Sequence, residues 1–299
     1  MLRATGSLLF WAGITVSSIL LFPVALLIWL VTLPFDPRRR VLHQFTCFWA
    51  SLYTWLNPAW RVSVVGRENV RPGVAYVMVA NHLSFLDILV LFRLRRHFKW
   101  VSKVEMFKIP AIGWNMWLNR YVPLKRGDKQ SVQTMMQVCR ERLAEGSSLM
   151  IFPEGTRSRD GKLQKFKTGA FQLALETKSP ILPIVVSGTS KTLPKHGFVL
   201  RGHHEIGIRV LPEIPYATFA ALSVDELTTR MRELYVRETG TDGLADAEQP
   251  APETRATGSL RSDTTSSQLR ASSKCAPGIV GALPSPVNAT KRDGRICLP

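Results

Sequence analysis

The sequence predicts an α/β fold, a mixed sheet flanked by helices and preceded by an N-terminal membrane helical segment. Three observations predict it. Leu8 to Leu33 runs 26 residues without a charged side chain. From Trp60 onward, short apolar runs alternate with amphipathic stretches, the pattern of strands and helices taken in turn. Residues 243–299 contain no Phe, Trp or Tyr and are rich in Ser, Thr, Ala and Pro. The chain therefore divides into a membrane-anchoring helical segment (1–58), an α/β domain (59–240) and a tail (241–299). The tail buries too little apolar surface to offset its ordering entropy and is expected to be disordered.

Leu8–Leu33 as a helix would reach roughly 39 Å, enough for a hydrocarbon core of about 30 Å. Pro23 near its middle kinks the segment, or lets it dip in and return. Only Arg3 precedes it, whereas Arg38, Arg39 and Arg40 follow. If it spans, the positive-inside bias puts the domain on the cytoplasmic face, with a bacterial inner membrane as the expected location. The four cysteines (Cys47, Cys139, Cys275 and Cys297) form no CxxC pair, as expected of free thiols in a reducing compartment. Val41–Leu56 lacks Asp, Glu, Lys and Arg, and reads as a second helix in the membrane interface.

Within the domain, Arg61–Val65 and Val74–Ala80 read as strands. The second is apolar or aromatic throughout, hence central and covered on both faces. A helix follows over Ser84–Phe92, a strand over Phe98–Val101 and a short extended piece over Tyr121–Leu124. Ser131–Ala144 gathers Val132, Met135, Met136, Cys139 and Leu143 on one helical face, with Gly146 ending it. Leu149–Phe152 and Ile181–Val186 are apolar strands around a helix at Thr168–Thr177. Ile206–Leu211 reads as an edge strand. Ser223 with Glu226 forms a capping box opening a last helix to about Arg237.

The chain carries 39 Lys/Arg against 22 Asp/Glu, a net charge of +17, of which +15 lies in the first 242 residues. Such a balance suits anionic lipid, phosphorylated substrates, an acidic carrier protein or nucleic acid. The membrane segment favours an anionic membrane surface over nucleic acid for the basic residues of Arg93–Lys99. No Gly-x-Ser-x-Gly motif supports a serine hydrolase. The adjacent His203-His204-Glu205 lacks the spaced partner that a metal site requires, so no metal is expected.

His82 follows an apolar strand, and strand-end turns are where open α/β sheets place ligands. Asp87 lies five positions on, about 140° away after one turn of a regular helix. The two meet if His82 stands on the loop and Asp87 in the first helical turn. A carboxylate on one ring nitrogen fixes the tautomer and leaves the other nitrogen as a base. Ser84-Phe85-Leu86-Asp87 equally matches a capping box, and the two readings are compatible. A second cluster, Phe152-Pro153-Glu154-Gly155-Thr156-Arg157-Ser158, ends another apolar strand. Its glycine permits an unusual turn, while carboxylate, hydroxyl and guanidinium suit a polyol phosphate. The same residues also suit a surface turn with a Glu–Arg ion pair.

Taken together, these segments resemble the glycerolipid acyltransferase family, its 1-acylglycerol-3-phosphate acyltransferases in particular. The family's Asn-His-x4-Asp block is matched by Asn81–Asp87, and Phe-Pro-Glu-Gly-Thr-Arg-Ser by Phe152–Ser158 at every position. Between them a block ending in arginine is matched more loosely by Tyr121–Arg126, which contains Pro123 and lacks the family's phenylalanine. A fourth, proline-containing apolar block is matched by Leu182–Val185. The likeness covers roughly residues 60–215. It implies that His82 accepts a proton from an acceptor hydroxyl attacking an acyl thioester, with Asp87 orienting it. It also implies that Arg126, Glu154, Gly155, Thr156 and Arg157, with Lys103 as a further contact, bind the acceptor's glycerol phosphate. Acyl-CoA or acyl-carrier protein would be co-substrate, lysophosphatidate the acceptor and phosphatidate the product, with no cofactor or metal. The alternatives are another lysolipid acceptor, or a non-catalytic membrane-anchored protein that binds anionic lipid.

Overall fold

The computed structural model describes residues 2–158, 160–193, 199–200 and 202–241. The tail expected to be disordered lies outside them. Seven strands form one sheet: β1 (Trp60–Val65), β2 (Val77–Ala80), β3 (Phe98–Lys103), β4 (Val122–Leu124), β5 (Ser148–Ile151), β6 (Ile181–Ser187) and β7 (His204–Val210). Their order is β1-β7-β6-β2-β5-β3-β4. Among these seven strands only the β6–β7 pairing is antiparallel; the others are parallel. The expected mixed sheet is therefore present.

The helices are α1 (Leu2–Thr32), α2 (Arg40–Trp55), α3 (Leu86–Leu91), α4 (Ile112–Leu118), α5 (Lys129–Ala144), α6 (Gly169–Thr177), α7 (Thr189–Thr192) and α8 (Val224–Thr239). Alternation along β2 explains the layering. Met78 and Ala80 join a core with residues of α2, α3 and α4, whereas Val77 and Val79 join one with residues of α5, α6 and α8. All four β2 residues are buried, as a strand covered on both faces requires.

One expectation is corrected. β7 is an interior strand between β1 and β6, and β1 and β4 form the edges. Its inward residues Ile206, Ile208 and Val210 alternate with more accessible ones. A half-exposed interior strand has the same alternation as an edge strand.

Between β2 and β6, side chains join the ladder. Pro183 has no N–H to give. The Tyr235 hydroxyl, from α8, donates to the Val79 carbonyl and accepts from the Ile184 amide. Asn81 pairs with both the carbonyl and the amide of Val186, at 2.9 and 2.7 Å. The carboxyl ends of β2 and β6 are thereby held in register just before His82.

α1 lies alongside the domain. The Leu200 amide donates to Ser7 Oγ, Phe10 packs on Trp60, and Trp11 meets Phe85. Further along, Ser17 bonds the Tyr53 hydroxyl, Phe22 meets Trp114, and Ala25 is buried with Leu42 and Trp49. From Ser7 to Ala25 that is about 27 Å of helix in contact with the rest of the protein. Leu8, Leu9, Ile19, Leu20, Leu27 and Leu30 remain exposed on its other side. α1 is long and apolar enough to cross a membrane by length and composition.

Candidate active site

β2, β5, β3 and β4 run parallel, so their carboxyl ends share one edge of the sheet. His82 follows β2, Phe152–Ser158 follow β5, Lys103 ends β3, and Arg126 follows β4. Residues far apart in sequence therefore meet at the position where open α/β sheets place ligands.

His82 is 7% exposed, and its Nδ1 stands 2.8 Å from Asp87 Oδ2. Asp87 sits in the first turn of α3, and the loop before it wraps around the carboxylate. Oδ2 also accepts from the amides of Leu83 and Ser84 at 2.6 and 2.8 Å, while Oδ1 accepts from the Thr189 hydroxyl. The carboxylate is fully buried and makes only one half of the expected capping box, to the Ser84 amide; the Ser84 hydroxyl donates to the Leu193 carbonyl instead, and no side chain caps α3 at its N-cap, Phe85. Donors of the protein thus stand where water would otherwise solvate this carboxylate. His82 Nε2 has no hydrogen-bond partner among the described residues.

The ring of His82 stacks on Phe152, with centroids 3.9 Å apart and planes 10° apart. Phe152 stacks in turn on Trp100. The backbone is pinned as well. The His82 amide donates to Glu154 Oε1 at 2.7 Å, and its carbonyl accepts from the Ser158 amide at 2.8 Å.

Glu154 is buried, and its second oxygen accepts from the Gln164 amide at 3.0 Å. Burial pushes its pKa up to about 7, against the opposing pull of these two amides. Its carboxylate ties the turn after β5 to the one after β2, and backbone donors occupy both oxygens.

Gly155 has φ +64°, the left-handed region that favours glycine. A Cβ there would stand 2.9 Å from Lys167 Cε, so the absent side chain also makes room for this lysine to cross the turn. Arg126 stands within electrostatic reach of Arg157 and Glu105: burial lowers its pKa, Glu105 raises it, and Arg157 lowers it again. Two guanidinium groups from separate loops are thus gathered at one end of the sheet. Lys103 is exposed and ion-paired with Glu105 at 3.3 Å. Thr156 is exposed on the same turn as Arg157.

Sequence reasoning singled out His82, Asp87, Lys103, Arg126, Glu154, Gly155, Thr156 and Arg157; it missed Thr189, and it quoted Asn81 and Phe152 within their blocks without a role of their own. Thr189 completes the Asp87 shell from α7. Phe152 backs the His82 ring. Asn81 acts as a strand clamp. The available signals were positional: Thr189 follows the strand beside β2, and Phe152 follows the strand on its other side.

Residues 61–187 match the family model described as Acyltransferase. The match gives this part of the chain, about two fifths of its length, as an acyltransferase domain. It is similar to a 1-acyl-sn-glycerol-3-phosphate acyltransferase of Chlamydomonas reinhardtii, 40% identical over 196 residues, covering 65% of this chain and 58% of that protein. A chloroplastic one of Arabidopsis thaliana is 41% identical over 176 residues, covering 58% and 49%. The human alpha form is 33% identical over 190 residues, covering 61% and 66%. The chain thus spans about half to two thirds of the length of these relatives. The fold matches the crystal structure of a 1-acyl-sn-glycerophosphate acyltransferase from Thermotoga maritima. The TM-score is 0.64 at 22% identity, covering 83% of this chain and 100% of that one.

Proposed function

We propose that the protein transfers a fatty acyl group from acyl-CoA or acyl-carrier protein to the sn-2 hydroxyl of lysophosphatidate, giving phosphatidate. The observation that carries this reading is the 2.8 Å His82–Asp87 contact, set beside strand ends that bring Arg126 and Arg157 together. Asp87 holds the Nδ1 proton and leaves the Nε2 lone pair as base. The acceptor oxygen attacks the thioester carbonyl while its proton passes to Nε2. The tetrahedral intermediate then collapses, the C–S bond breaks, and the leaving sulfur takes that proton. Asp87 stabilises the imidazolium that forms between these steps. Arg126 and Arg157 hold the acceptor's phosphate, since guanidinium forks match phosphate geometry. Glu154 braces the two turns, and Lys103 and Thr156 stand at the rim of the phosphate site. The names of the relatives support lysophosphatidate as acceptor.

α1 and the exposed apolar residues of α2 support a membrane location, with α1 against the domain along its length. Two plant relatives are named chloroplastic, which favours an organellar membrane over the bacterial inner membrane expected from sequence.

The test is transfer of labelled acyl groups from both donors to a panel of lysolipids, using membranes containing the protein. Lysophosphatidate is the expected acceptor, and His82→Ala abolishes transfer with folding intact. Use of a different lysolipid alone would overturn the acceptor. Full turnover in His82→Ala would remove His82 as the base.

A further inference from the structure

Three arginines meet at the carboxyl end of α2, far in sequence from the turns that carry the proposed phosphate site. The Arg93 guanidinium lies 5.0 Å from the centroid of the Trp55 ring, and that of Arg95 lies 4.8 Å from it. Arg67 joins them, its Nη2 donating to the Arg93 carbonyl at 2.8 Å. Arg93 is fixed further by a 3.1 Å bond to Thr54. The charges repel: burial lowers the Arg93 pKa, and Arg95 and Arg67 push it further down.

Like charges so gathered call for an anion, yet the described residues supply none here. Arg71, Arg120, Arg140, Arg142 and Arg209 each pair with a glutamate. Among the described residues, no ion pair involves Arg67, Arg93 or Arg95. Arg67 Nε is in addition a buried donor with no partner. Such a group costs free energy unless something satisfies it.

The surroundings identify what does. Val41, Phe48 and Trp55 recur every seven residues on one side of α2 and are 47%, 45% and 40% exposed. Leu56, next along the chain, is 77% exposed. An apolar stripe bordered by arginines and aromatics is the pattern of a helix lying at the bilayer boundary. Nucleic acid would leave Val41 and Leu56 in water.

We propose that Arg67, Arg93 and Arg95, gathered around Trp55, form a headgroup site for an anionic phospholipid of the bilayer in which the Val41–Phe48–Trp55 stripe lies. The guanidinium forks take the lipid phosphate, and the indole lies at headgroup depth. This proposal rests on the membrane location argued above and is independent of the acyl-transfer reading.

The full-length protein is reconstituted into phosphatidylcholine vesicles containing a trace of lipid with brominated chains, which quench tryptophan. Brominated phosphatidylglycerol is compared with brominated phosphatidylcholine. Wild-type protein is expected to favour the glycerol lipid by about fivefold or more, from roughly one arginine's worth of surface attraction at minimum. Arg93→Gln/Arg95→Gln is expected to lose that preference while still being quenched by the choline lipid. Arg95 makes no side-chain hydrogen bond among the described residues. Arg95→Gln alone therefore carries the test if the double variant does not fold, with at least about a twofold loss expected. Equal quenching by both lipids in wild type, or an unchanged preference in the folded variants, overturns the proposal. Loss of the preference on adding inorganic phosphate would assign the site to a soluble anion, and displacement by an RNA oligonucleotide would assign it to nucleic acid. Protein that enters no vesicle overturns the membrane location and this site with it.

Discussion

The imidazole of His82 lies flat on the ring of Phe152, 3.9 Å away, with the two planes nearly parallel. Stacking leaves both ring nitrogens in plane and free for hydrogen bonds, while removing one side of the ring from water. Phe152→Ala takes away this support and leaves the Asp87 contact as the main restraint on ring orientation. Steady-state kinetics are expected to show kcat reduced by about 10- to 100-fold. The KM for the acceptor should stay close to wild type, because the ring contacts of Phe152 are with His82 and Trp100.

Asp87→Asn tests the buried carboxylate. Four donors converge on Asp87, and an amide offers them one oxygen and two competing hydrogens. The variant is expected to lose roughly a thousandfold or more in kcat, since the tautomer of His82 is no longer fixed. Its stability should fall by about 1–3 kcal/mol, measured by denaturant titration. A large kinetic loss with unchanged stability would contradict the convergent arrangement.

Gly155→Ala places a Cβ where the left-handed backbone and Lys167 both resist it. The conformational cost is about 1–2 kcal/mol, and the turn shifts to relieve it. Arg157 is two residues further on, so the acceptor KM is expected to rise with a smaller change in kcat. Equal KM values for wild type and variant would disconnect this turn from acceptor binding.

Lys99 provides a pH test at the opposite end of the sheet. Its Nζ donates to the carbonyls of Arg38 and Asn119, both at 2.7 Å, in a fully buried position. Burial, then Arg120 and Arg142, lower its pKa from 10.5 to about 7, against the weaker effects of Asp36 and Glu145. The folded state therefore favours the neutral amine. Its contribution to stability is complete above the unfolded pKa and is lost as pH falls toward 7. Wild type should melt at a higher temperature near pH 9.5 than near pH 7. Lys99→Met should flatten that difference while melting lower overall, because two carbonyls lose their donor.

Much of this was legible because the controlling interactions are local. His82 and Asp87 are five residues apart, and the only requirement was that the helix begin between them; α3 begins at Leu86. Strand β2 could be placed by its unbroken apolar character. The Ser223–Glu226 capping box announced α8, and both of its hydrogen bonds are present. Other features depend on contacts that no local pattern encodes. The resemblance set Glu154 among the groups that bind the acceptor's glycerol phosphate, and no local pattern showed the two amides from other segments that its carboxylate accepts from. Helix α4 has seven residues, too few for a helical period to emerge. Tyr235 reads as one more apolar position on α8, and only the sheet shows its hydroxyl bridging β2 and β6.

The helix that runs beside the domain from Ser7 to Ala25 changes what concentration means for this protein. A globule on a tether samples the aqueous phase and can rise from its support. If α1 anchors the protein as proposed, its packing on the domain sets the height of the His82 imidazole above the lipid. On that reading the acceptor arrives by sliding within a leaflet. Turnover should follow its mole fraction in that two-dimensional film, and diluting the surface with inert lipid should slow the reaction while adding buffer should not.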